Sequence, residues 1–177
     1  PTIIPVSMRI LGDDARVLVA MSTGGVYTTA DRGRSWDPSN QGIKAYFLPD
    51  PWPEYGQCVH KVARDPSDPE RLFAQNHHGV YRSDDGGSTW SSIADGLPSD
   101  FGFAMVAHPA RGATAWVAPL VADGERIPPD GALKVWRTDD AGDSWTSVSS
   151  GLPESGFYAS VLRDAFTVDD VADSAGL

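Results

Sequence analysis

An eight-residue pattern occurs three times in the chain: TADRGRSW at 29–36, SDDGGSTW at 83–90 and TDDAGDSW at 138–145. The shared form is [ST]-x-D-x-G-x-[ST]-W. The closing tryptophans lie 54 residues apart (36 to 90) and then 55 (90 to 145). A fixed period of this size implies one supersecondary unit repeated along the chain, each burying its apolar face against the next.

The repeats share one order of segments. In the first, strands are expected at 8–11, 16–21 and 26–29, with 35–37 opening a fourth. In the second they are expected at 58–63, 71–75, 79–83 and 90–93, and in the third at 103–107, 113–118, 133–138 and 145–148. A further unit is expected to start at 159–162 and to continue at 165–168. These stretches are short, rich in Val, Ile, Thr and aromatics, and bounded by Gly, Pro and Asp. No segment has a sustained helical period with caps. Four strands per repeat predicts an all-β fold, a β-propeller of four-stranded antiparallel blades. The expected blades are 7–41, 58–97 and 102–152, with an incomplete one at 157–177. The chain thus reads as a propeller fragment whose partners include the remaining blades of a longer protein. Such a fragment exposes strand edges and is expected to associate or aggregate when isolated.

The repeated box sits between two strands and is therefore a hairpin turn. Asp31, Asp85 and Asp140 are placed to accept hydrogen bonds from the turn's own N–H groups, as Asx turns do. Gly33, Gly87 and Gly142 supply a positive φ. Trp36, Trp90 and Trp145 each offer about 150–250 Å² of surface to bury. An ion-binding loop needs acidic residues at alternate positions and a distal Glu, which the boxes lack. The box is read as structural, and neither a metal nor a cofactor is expected.

Composition narrows the partners. The net charge of −10 disfavours a polyanion, so no nucleic acid is expected. No run of about 18 apolar residues is present to span a membrane. Cys58 is the single cysteine, so no internal disulfide forms. With no visible signal peptide, this leans the expectation towards the cytoplasm, although the chain begins at Pro1 rather than Met. Phosphate loops, zinc-type Cys/His spacings and nucleophile elbows are absent from the sequence. The adjacent pair His77–His78 is expected to diverge in an extended turn.

The three boxes resemble the Asp-box, or BNR, repeats of sialidases and related β-propellers. The flanks GVYRSDDGGSTW at 79–90 and GLP at 96–98 resemble the WD40/YVTN/BNR-like group, often labelled glycosyl hydrolase or exo-α-sialidase in bacteria. The resemblance covers nearly the whole chain. It implies that the box turns lie on one face and that function sits on the opposite face, near the central channel. That face would hold 44–57, 76–78, 99–103, 119–131 and 154–158. Tyr46, Trp52, Tyr55, Phe101 and Tyr158 are its candidates for stacking on a sugar ring or a peptide. His60, Lys61, His77 and Arg163 are candidates for an anionic group, and Glu54, Asp100 and Asp164 for hydroxyls. Lys61 and His60 would line the channel from an innermost strand, and Arg163 and Asp164 from the innermost strand of a fourth blade.

The resemblance implies two kinds of function. One is a glycan- or protein-binding module, or a scaffold for complex assembly, since such repeats also occur in non-catalytic receptors and assembly factors. The other is a sialidase-like glycoside hydrolase. That chemistry uses three arginines, a Tyr nucleophile paired with a Glu, and an acidic proton donor. Sialidases carry an Arg-Ile-Pro motif before their first box. Here Arg126-Ile-Pro128 follows the second box, inside an insertion. No catalytic role is therefore assigned to Arg126, and the fragment is read as leaning away from catalysis.

Overall fold

A computed structural model describes residues 4–10 and 15–169. Twelve strands form three four-stranded antiparallel sheets, each in simple sequential order. Blade one holds β1 (Ile4–Ile10), β2 (Val17–Ser22), β3 (Gly25–Thr29) and β4 (Asp37–Pro38). Blade two holds β5 (Val59–Arg64), β6 (Leu72–Asn76), β7 (Gly79–Ser83) and β8 (Ser91–Ser92). Blade three holds β9 (Phe101–Ala107), β10 (Ala115–Leu120), β11 (Trp136–Thr138) and β12 (Thr146–Ser147). The innermost strands β1, β5 and β9 are neighbours in space, as in a ring of blades.

The blades stack face to face, so a central strand is covered on both sides and its burial does not alternate. β6 is buried at every position. One apolar layer joins blades one and two through Leu18, Val26, Ile43, Val59, Leu72 and Trp90. A second joins blades two and three through Phe73, Val80, Ile93, Met105, Val117 and Trp145.

The boxes fasten this stack. Asp85 Oδ1 accepts from the Thr89 N–H at 2.9 Å and from the Ser83 hydroxyl at 2.8 Å, and Oδ2 accepts from the Thr89 hydroxyl at 2.6 Å. Asp31 and Asp140 repeat the pattern with Ser35 and Ser144. The closing Trp reaches further than its own turn. The Trp90 indole N–H donates to Ser39 O at 3.0 Å, and that of Trp145 to Ile93 O at 2.7 Å, each in the preceding blade. Trp36 instead donates to Gly33 O in its own box and is 40% exposed. Gly142, at φ +95°, shows why the box needs glycine. An added Cβ would lie 2.5 Å from Ile93 Cδ1 of the preceding blade.

Several expectations shift. The third strand of blade three starts at Trp136 rather than 133, because the insertion runs on through a single 3₁₀ turn, Pro129–Gly131. Pro119 and Leu120, expected in that insertion, complete β10. Residues 159–162 and 165–168 form no strand. An innermost strand needs the second strand of its own blade as partner, and the described residues contain none for them. Residues 170–177 of that expected unit lie outside the described residues.

Each blade has one bulge, on its innermost strand. The register slips between Pro5 and Ser7, between Val59 and Lys61, and opposite Val117–Pro119. In blade two the residue without a partner is His60. A bulge of this kind re-aims the side chain it carries.

Candidate functional site

The end of each blade opposite its box carries the turn between second and third strands and the start of the innermost strand. In blade two these bring His77 and His78 beside Cys58 and His60. The bulge turns the His60 side chain into the molecule, where it is 1% exposed. Its Nδ1 lies 2.6 Å from Gly102 O. A carbonyl only accepts, so Nδ1 carries a proton and Nε2 is the nitrogen turned to the sulfur. Nε2 faces Cys58 Sγ at 3.5 Å, and the Ser22 hydroxyl reaches the same sulfur at 3.2 Å. A ring nitrogen of His77 completes the group: the donor atoms of Cys58, His60 and His77 all lie within 4.8 Å of one another.

Aromatic rings hold this cluster. His60 stacks on Phe103 at 4.6 Å, and His77 meets Phe101 edge-on at 5.2 Å. Phe101, Phe103 and Leu120 form their own apolar layer beneath. On the open side His77 Nε2 approaches Asp123 Oδ2 at 3.4 Å, and Asp123 is ion-paired to Arg126. A cleft of about 420 Å³ opens above, lined by Thr23, Tyr46, Phe47, Cys58, His77, His78 and Asp123.

The cluster is polarised. Burial pushes the Cys58 thiol up, but contacts with His60, His77 and Ser22 outweigh it, and the thiol is lowered to about 5. His77 is raised above its ordinary value by its contact with Cys58, against burial, with the Cys58 and Asp123 charges helping. His78 is lowered by burial and by the neighbouring His77 charge. Asp123 is held low by Arg126, with the His77 charge adding to it.

Next to the cleft runs the connection 39–58. Tyr46, Phe47, Trp52 and Tyr55 on it are 58, 48, 53 and 61% exposed. The backbone beneath them is pinned by buried amides. Asn40 Nδ2 donates to Glu54 O at 2.9 Å, Gln57 Nε2 to Pro53 O at 2.7 Å, and Asn76 Nδ2 to Lys44 O at 3.0 Å. The Tyr46 N–H donates to His78 Nδ1 at 3.2 Å. Lys44 Nζ sits 5.3 Å from the Tyr46 ring centroid and 5.4 Å from that of Trp52. The rings are thus displayed on an ordered platform.

The structure gathers His60, His77 and Phe101 from the residues expected at the site. Lys61 pairs with Asp164, and Arg163 Nε donates to His60 O at 3.0 Å, so these three meet along the same strand. Arg163 and Asp164 come from an irregular segment laid across the inner strands, not from a strand. Asp100 contributes its backbone carbonyl, which accepts from Gln75 at 2.9 Å. Tyr55 lies on the aromatic loop. Tyr158 packs by Gly131 and is 70% exposed. His77 and His78 do not diverge as expected: their rings meet edge-on at 4.8 Å, one facing Cys58 and the other accepting from the Tyr46 N–H. Cys58, Asp123 and Phe103 were not anticipated.

No family model matches the chain. An ancestral GH74 enzyme superposes over 89% of this chain and 19% of its own, with a TM-score of 0.64 and 16% identity. The chain has the fold of part of a β-propeller. YCF48 bound to D1 peptide also superposes, with a TM-score of 0.54 and 16% identity over 86% of this chain and 44% of its own. By sequence the propeller is similar to a xyloglucanase of Paenibacillus sp, 29% identical over 151 residues. That match covers 75% of this chain but 14% of the xyloglucanase, so the chain spans a small part of its relative's length. Among the described residues no helix is long and apolar enough to cross a membrane.

Proposed function

We propose that this propeller binds a glycan on the face opposite its Asp boxes, with Tyr46, Trp52 and Tyr55 as the stacking platform. The observation that carries the reading is this set of exposed rings on a backbone held by buried Asn40, Gln57 and Asn76. Exposed aromatic patches mark binding surfaces, and a pre-ordered loop avoids the entropy cost of ordering on binding. The likeness to a xyloglucanase makes a β-glucan backbone the first ligand to try.

The same likeness favours a second reading, a glycoside hydrolase. A hydrolase needs a carboxyl held protonated beside a second carboxylate. Asp123, the carboxylate nearest the cleft, is held low instead, which supports binding without turnover by these residues. Superposition with a peptide-bound YCF48 supports a protein ligand as the third reading.

Calorimetry with xyloglucan oligosaccharides and a reducing-sugar assay on the full-length protein separate the readings. Binding without sugar release, weakened at least about 10-fold by Trp52→Ala, or about 1.4 kcal/mol, is the expected result. Sugar release would establish the hydrolase, and absence of any oligosaccharide binding would leave the peptide reading.

A further inference from the structure

We infer that Cys58, His60 and His77 form a binding site for a zinc-type divalent transition-metal ion, with one coordination position open to the cleft. The donor set is one sulfur and two imidazoles, which suits Zn²⁺ and excludes the oxygen-seeking Ca²⁺ and Mg²⁺. Its geometry is already close. Zinc–sulfur and zinc–nitrogen bonds of about 2.3 and 2.0–2.1 Å at a tetrahedral angle place the two donors about 3.6 Å apart. Cys58 Sγ and His60 Nε2 are 3.5 Å apart. The His77 donor lies within 4.8 Å of both, on a side chain 16% exposed.

The surroundings are those of a ligating site. A metal-bound imidazole usually donates its other N–H to a carbonyl or carboxylate, which fixes the tautomer and aims the lone pair. His60 does this to Gly102 O. His77 has the Asp123 carboxylate at 3.4 Å for the same purpose. The bulge on β5 is what points His60 at Cys58. The ion would bind thiolate and neutral imidazoles, and any proton these donors hold would pass to solvent. Three protein donors leave a fourth position, and the cleft supplies access to it. The site stands whether or not the aromatic loop binds glycan.

Cys58 is the single cysteine, so sulfur-specific signals report this site alone. Titration of the full chain with Co²⁺ is expected to give one equivalent with a cysteinate-to-cobalt charge-transfer band. Cys58→Ser abolishes the band, His77→Ala weakens binding by at least about 10-fold, and His108→Ala leaves both unchanged. In the unmodified protein Zn²⁺ slows iodoacetamide alkylation of Cys58 by at least about 10-fold, and chelator restores the rate. This second readout does not depend on a variant folding. The inference is overturned if no band forms, if Cys58→Ser retains it, or if alkylation is indifferent to Zn²⁺, as a plain thiol–imidazole pair would be.

Discussion

At the scale of single residues, the box carboxylates decide how the fold responds to acid. Asp31 and Asp140 are lowered from 3.8 to about 2, the first mainly by the Ser35 N–H and the second mainly by the Ser144 hydroxyl. Asp85 is lowered too: burial opposes this, but the Thr89 hydroxyl and N–H prevail. A carboxylate with a folded-state value below its unfolded one stabilises the fold above the unfolded value. That contribution is lost as pH falls from about 4 towards 2. Urea midpoints are therefore expected to drop across that window. Asp140→Asn should flatten the drop while lowering the midpoint near neutral pH.

At the scale of the element, the box is a joint between blades. Trp145 is 9% exposed and bonds to Ile93 O of the preceding blade. Trp145→Ala is expected to cost about 3–5 kcal/mol in denaturant unfolding. Trp36→Ala, at a ring 40% exposed that bonds to its own turn, should cost far less. Gly142→Ala combines a positive φ with a Cβ 2.5 Å from Ile93 and is expected to cost about 1–3 kcal/mol. The elements were legible in the sequence because strand, turn and box are local, each set by a few adjacent residues. The Asp boxes and the strand order within each repeat follow from that grammar, whereas the face carrying His60 and His77 was implied by the resemblance to Asp-box propellers. The Cys58 cluster was not legible. It needs a bulge to turn His60 inward, a carbonyl from Gly102 in the next blade, and Asp123 from an insertion with no pattern of its own. The segment at 159–168 misled for the opposite reason: its apolar spacing suits a strand, but a strand forms only against a partner.

At the scale of the whole molecule, the two ends of the blades have separate tasks. The box end is closed by self-satisfied turns and by inter-blade ion pairs such as Arg16 with Glu70, at 2.7 Å, and Arg82 with Asp143, at 3.0 Å. The opposite end carries exposed rings on a braced loop beside a polarised thiol–imidazole cluster. If the proposed glycan face is right, stability and recognition are carried by different residues of the same repeat, and one can be changed without the other. Trp36 and Trp52 test this directly, being similarly exposed, at 40 and 53%, on opposite ends. The measurement is oligosaccharide affinity of the full-length protein and its Trp36→Ala and Trp52→Ala variants, by calorimetry. Near-parental affinity is expected for Trp36→Ala and a loss of at least about 10-fold, or about 1.4 kcal/mol, for Trp52→Ala. Equal losses in both variants, or a loss confined to Trp36→Ala, would contradict this expectation.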